Sequence, residues 1–298
     1  MTKTVTFGVL LALLFGTCTA GENTAPLQVA VSIPPQAEIV KQIGGGRVTV
    51  MVLLPAGQSP ELFDPSPRLL AALSEAKAYF TIGFPFENNL VRRLSDGQSS
   101  LKIVNVDATL PRRAMQSHDH GTEGNDADGQ EMLDPHVWLD PIRVKTHATV
   151  IGRTLCDLDP DHCTEYSDNL GRVLQKLDSL DHALHRELDS LPDRRVYVFH
   201  PAFGYFTDRY GLQQIAVETE GKEPSARQLA ELLENTKNAG ITALFVQPQF
   251  SKKTARAVAD DLGCRVVTLD PLASDYFANL GEMARQIAAV LGGQPESH

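Results

Sequence analysis

From Leu27 onward, short apolar, β-branched runs alternate with amphipathic stretches. Runs at 27–33, 47–53, 78–82 and 101–106 read as strands, and 36–43, 67–74 and 87–94 as helices between them. Such alternation predicts βαβ units around a parallel sheet. A second series has the same form, with strands at 196–199, 213–217, 243–246 and 265–269. Its helices are read at 226–239, 252–262 and 278–291. The expected fold is therefore α/β: two parallel-sheet lobes, 27–159 and 192–291, joined by one long rigid helix at 160–191.

That helix is read from Tyr166, Leu170, Val173, Leu174, Leu177, Leu180, Leu184 and Leu188, which recur at three and four as one helix face requires. Asp159 followed by Pro160 forms an N-cap and first-turn pair, and Pro192 ends the pattern. Thirty residues of helix reach about 45 Å, a strut across both lobes. The competing reading is a surface helix interrupted near Gly171. The segment 117–130, polar, acidic and without periodicity, is expected to be a mobile loop.

The first residues stand apart. Lys3 precedes an apolar run from Val5 to Phe15, and Thr17, Cys18, Thr19 and Ala20 are small. This is the form of a signal peptide, 1–20, with cleavage after Ala20 and delivery to the periplasm. Lipid attachment at Cys18 is the less favoured alternative, because Phe15-Gly16-Thr17 is a poor lipoprotein box. A net charge of -10 and a pI near 5.4 leave no basic stripe for phosphates, so no nucleic-acid partner is expected. Nothing points beyond a monomer. In an oxidising compartment, Cys156 and Cys163 are expected to form a local disulfide, against the alternative of two separate buried thiols. Cys264 reads as a small core residue. No C-x-x-C pair occurs, so a thiolate metal site or redox motif has no support.

Four strand-to-loop junctions carry polar residues where parallel sheets place their ligands, beyond the carboxyl ends of the strands. These are the loops Pro55 to Pro67, Asp134 to Pro141, Phe199 to Phe206 and Thr268 to Leu272. Singly each is ordinary: a strand-end His more often caps a backbone group, and Asp-Pro starts many turns. Together they set two imidazoles and two carboxylates, two groups from each lobe, on one edge of the sheets. That donor set suits zinc, manganese or iron(II).

At these places the chain resembles the zinc- and manganese-binding solute-binding proteins of ABC transporters, and within them the zinc-uptake periplasmic proteins. The likeness runs from about Leu27 to Leu291 through the Asp134–Pro141 and His200–Tyr210 boxes, Glu223-Pro224-Ser225 and Asp270-Pro271-Leu272. It implies two lobes, a linking helix, no catalysis, a membrane permease as partner and one metal held in the cleft by four ligands. His136, His200 and Asp270 match the second, third and fourth ligand positions. Glu61 stands at the first, where the family usually has His. Glu61 either binds as a carboxylate, leaves its position to water, or yields to Asp64. Its presence shifts preference toward manganese or iron(II), whereas His200 is the zinc-type residue where manganese-selecting members carry Glu. Zn2+ is the expected cargo, with Mn2+ and Fe2+ as alternatives. His118 and His120 resemble a short form of the family's His-rich loop, an auxiliary metal-gathering segment or a plain solvated linker. His182 and His185, three apart on the long helix, read as solvated positions.

Two rival functions are weighed against capture. A secreted metallohydrolase would use His136, His200 and Asp270 with an open water position, yet no H-E-x-x-H or related signature is present. An organic-solute binder would show an aromatic cleft, whereas aromatics make up 6% of the chain.

Overall fold

The computed structural model describes residues 25–95, 100–115, 133–217 and 241–292. The first lobe contains β1 (Leu27–Val31), α1 (Pro34–Gly44), β2 (Val48–Val52), α2 (Pro67–Leu73), β3 (Ala78–Thr81), α3 (Pro85–Ser95) and β4 (Lys102–Asn105). Two antiparallel-running helices follow, α4 (Pro141–Leu158) and α5 (Cys163–Leu188). The second lobe contains β5 (Arg195–Val198), α6 (Gly204–Arg209), β6 (Gln213–Ala216), β7 (Ala243–Val246), α7 (Lys252–Leu262), β8 (Arg265–Thr268) and α8 (Tyr276–Leu291). Each lobe holds a four-stranded parallel sheet, ordered β2-β1-β3-β4 and β6-β5-β7-β8. The predicted strands are all present, most a residue or two shorter at their ends. The expected signal peptide, the Glu223-Pro224-Ser225 turn, the helix at 226–239 and the loop at 117–130 lie outside the described residues.

The central strands β3 and β7 are buried along their length, as continuous apolar runs covered on both faces should be. α5 is 26 residues long, so it spans about 39 Å. It is shorter than the expected 160–191 because Pro160–His162 forms a separate 3-10 turn. Asp159 does not cap it. That carboxylate accepts from the Tyr166 hydroxyl at 2.6 Å and meets His162 Nδ1 at 2.8 Å. The Cys156–Cys163 disulfide joins the end of α4 to the start of α5. Cys264 is half-buried beside the second lobe's smaller apolar cluster, just before β8.

α4 went unpredicted. Asp140 caps it, its Oδ1 accepting the Ile142 N–H at 2.8 Å, and Pro141 occupies the first turn. α5 packs against α4, α1 and α8. One core therefore runs through both lobes, holding Val31 and Phe80 of the first sheet, Val173, Leu177 and Leu184 of α5, and Val198 and Phe245 of the second sheet. Polar ties reinforce it. Arg209 of α6 donates to Asp181 in mid-α5 at 2.9 and 2.7 Å. Trp138 Nε1 donates to the Pro271 carbonyl at 2.8 Å, and the Tyr276 hydroxyl donates to the Trp138 carbonyl at 2.9 Å.

Candidate metal centre

After β2 the chain forms a turn at Ser59-Pro60-Glu61-Leu62, closed by the Leu62 N–H donating to the Ser59 carbonyl at 3.3 Å. Ser and Pro are favoured at the first two positions of such a turn, proline because its ring presets φ. The Ser59 hydroxyl donates to Glu61 Oε2. Glu61 Oε1 is left facing two imidazoles, 3.2 Å from His136 Nε2 and 3.4 Å from His200 Nε2.

His136 is held from the other side of its ring. Asp134 Oδ1 accepts the His136 backbone N–H at 2.9 Å and lies 2.8 Å from Nδ1. With a metal bound, this carboxylate would hold the ring proton on Nδ1 and leave the Nε2 lone pair for the ion, the usual arrangement behind a metal-ligating His. The ring packs on Trp138 and Phe84, at centroid distances of 5.3 and 6.3 Å. His200 follows β5, at the point where strand order reverses between β5 and β7. Its carbonyl accepts from Gln247 Nε2 at 2.8 Å, and its ring lies 5.1 Å from Phe250 and 5.4 Å from His136.

Glu61, His136 and His200 each offer a ligand atom within 4.8 Å of the others. Zinc bonds of about 2.0–2.1 Å at tetrahedral angles put neighbouring ligand atoms about 3.3–3.4 Å apart. The two Glu61-to-imidazole contacts match that edge. The three side chains line a cavity of about 10 Å³ together with Ser59, Trp138, Gln247, Gln249 and Leu272. That is room for one small particle, not for an organic substrate. Burial raises the affinity of Glu61 for a proton, but hydrogen bonds and charge from His136 and His200 outweigh it and hold the carboxyl well below its ordinary range. Burial disfavours a charged His136, yet hydrogen bonds to Asp134 and Glu61 raise its affinity for a proton above the ordinary value.

Asp270 stands apart from this trio. Its Oδ1 accepts from Gln249 Nε2 at 3.0 Å and from the Leu272 N–H at 3.0 Å, while the next two residues, Pro271 and Leu272, line the cavity. His118 and His120 lie outside the described residues. His182 and His185 border an open surface depression on α5, where His185 Nδ1 meets Asp189 at 3.0 Å. Sequence reasoning missed Ser59, Asp134, Gln247 and Gln249. The Asp134-Pro135-His136 spacing carried a signal, since an Asp two residues before a His can reach back to its ring.

A family model described as the periplasmic component A of the zinc-uptake complex, ZnuA, matches residues 29–290. The chain belongs to this family. Among ZnuA relatives, the zinc-binding lipoprotein AdcA of Streptococcus pneumoniae (strain ATCC BAA-255 / R6) is 30% identical over 261 residues, which cover 83% of the chain and 50% of AdcA. The chain thus spans about half the length of that relative. The high-affinity zinc uptake system protein ZnuA of Brucella abortus (strain 2308) is 28% identical over 300 residues, covering 89% of each. A crystal structure of ZnuA superposes with a TM-score of 0.82 at 39% identity, covering 89% of this chain and 99% of that one. The ZnuA family consists of uptake components and not enzymes. No helix among the described residues is long and apolar enough to cross a membrane.

Proposed function

We propose that this chain is the extracytoplasmic binding component of an ABC transporter, capturing one divalent transition metal, zinc first, for a membrane permease. The observation that carries the reading is the trio itself. One carboxylate oxygen lies at tetrahedral edge length from two imidazole nitrogens inside a cavity the size of an ion. Asp270, in the loop whose Pro271 and Leu272 line the same cavity, completes the set through Oδ2. The names of the similar proteins, zinc-binding and zinc-uptake, support zinc as the cargo. The protein acts as a monomer, with lobes 27–159 and 192–291 flanking the ion.

Manganese or iron(II) is the second reading, favoured by the Glu61 carboxylate, since oxygen donors suit harder ions. Two carboxylates would neutralise a divalent ion where three imidazoles and one carboxylate would leave charge. The test is metal analysis of anaerobically purified protein with competition titrations of wild type, Glu61→Gln and Asp270→Asn. One tightly bound zinc per chain, weakened in both variants, is expected. Tight binding unchanged in Glu61→Gln would remove Glu61 from the set, and absence of any tight metal would overturn the whole reading.

A further inference from the structure

Both carboxylates of the proposed ligand set have one oxygen already engaged by a neutral donor. At Glu61 the donor is the Ser59 hydroxyl, on Oε2. At Asp270 Oδ1 accepts from Gln249 Nε2 and from the Leu272 N–H, each at 3.0 Å. The remaining oxygen of Glu61 is the one turned toward His136 and His200.

We propose that Ser59 and Gln249 set the metal selectivity of this site by holding Glu61 and Asp270 to one donor oxygen each. The inference rests on the reading of those two residues as ligands. Zinc is satisfied by four donors, two imidazoles and two single oxygens. Larger, harder divalent ions such as manganese take more oxygen donors, supplied by bidentate carboxylates or by water. Here one oxygen of each carboxylate is already engaged, which disfavours bidentate binding. The Ser59 hydroxyl is well placed for the task because Ser59 opens the turn that carries Glu61. A selectivity device of this kind compensates for a carboxylate at a position that would otherwise draw the site toward manganese.

Zn2+ and Mn2+ competition titrations of wild type, Ser59→Ala, Ser59→Thr, Gln249→Ala and Glu61→Gln test this, with visible absorption of the Co2+-loaded proteins. Four-coordinate cobalt absorbs far more strongly than five- or six-coordinate cobalt, so the band reports donor number apart from affinity. In Ser59→Ala the zinc-to-manganese affinity ratio falls about 10–100-fold and the cobalt band weakens. Gln249→Ala moves the same way by less, because the Leu272 N–H still holds Asp270 Oδ1, and Ser59→Thr, which restores the hydroxyl, keeps both. A ratio and cobalt band unchanged in Ser59→Ala, while Glu61→Gln loses metal, overturns the selectivity role and leaves the ligand reading intact. Wild-type binding in Glu61→Gln overturns the ligand reading, and the selectivity role with it.

Discussion

Replacing Asp134 with alanine separates a side chain that orients a ligand from one that merely fills space. Asp134 is 1% exposed and makes two contacts to His136, at 2.9 Å to the backbone N–H and 2.8 Å to Nδ1. Its other oxygen lies 3.8 Å from Arg113 Nε. Asp134→Ala leaves the buried His136 donors without this acceptor, costing the apo fold about 1–3 kcal/mol. The loss to metal binding is separate. Without the carboxylate the ring is free to turn and its Nε2 is a weaker base, so zinc affinity falls about 10–100-fold, or about 1.4–2.7 kcal/mol. Asp134→Asn keeps the shape and an acceptor but loses the charge, and falls between the two. The assay is competition against a chromophoric chelator, paired with thermal melts of apo and zinc-loaded protein. The melting shift produced by saturating zinc shrinks along with the affinity. An Asp134→Ala protein that melts lower yet binds zinc as tightly as wild type would refute the orienting role.

Three further outcomes are expected. A Cβ built on Gly204 would lie 1.9 Å from Arg113 Nη1 and 2.9 Å from Asp134 Oδ2, so Gly204→Ala should destabilise by about 1–3 kcal/mol in urea titrations and weaken zinc binding. Replacing Cys156 and Cys163 by Ser opens a loop of sequence separation 7. The chain-entropy model puts the loss at about 2.5 kcal/mol, or roughly 5–10 °C by calorimetry. Burial pushes the His147 imidazole below its ordinary value, and this outweighs its hydrogen bond to Asp107. A depressed His contributes stability that is complete above about pH 6.5 and lost as pH falls below it. Burial raises Asp107, but His147, Arg143 and Arg112 outweigh it and hold that carboxyl low, so its contribution persists to about pH 4 and fades below. Denaturant midpoints measured from neutral to acid pH should show both limbs, and His147→Gln should remove the first and reduce the second, which Arg143 and Arg112 still support.

The same dipeptide shows where sequence reading reaches its limit. Asp140-Pro141 and Asp159-Pro160 both carry a helix-start signature, and only the first caps a helix. At Asp159 the chain is leaving α4 and reversing through a disulfide-closed loop, and the carboxylate turns to Tyr166 and His162 instead. α4 had a readable face in Val144, Ala148, Ile151 and Leu155, spaced by four and three. It was hidden because Asp140-Pro141 read as the end of a loop box and because Thr146, Thr149, Val150 and Thr154 are β-branched. Strands such as Ala78–Thr81 and Ala243–Val246 were plain because burial on both faces leaves no charged residue to blur the run. His200 was legible from its place at the end of β5, whereas His136 leads into the 3-10 turn Val137–Leu139 and was legible only within the Asp134–Pro141 box. Ser59 was not, and Asp134 only through its spacing to His136, since both roles depend on backbone turns that bring a side chain onto its neighbour two residues away.

The shared core has a consequence for how cargo leaves. Val31 and Phe80 are bound to Val198 and Phe245 through Val173, Leu177 and Leu184, so swinging the lobes apart would break the same packing that keeps the protein folded. Little of that packing stands behind the turn carrying Glu61, where Leu62 is 73% exposed. On the proposed reading, lifting this turn disturbs less packing than a hinge between lobes and offers the ion its easier way out. Stopped-flow chelation should find dissociation rates that respond to substitutions at 57–62 and stay level for conservative changes on the buried face of α5. A permease that touched only that turn could set the pace of unloading.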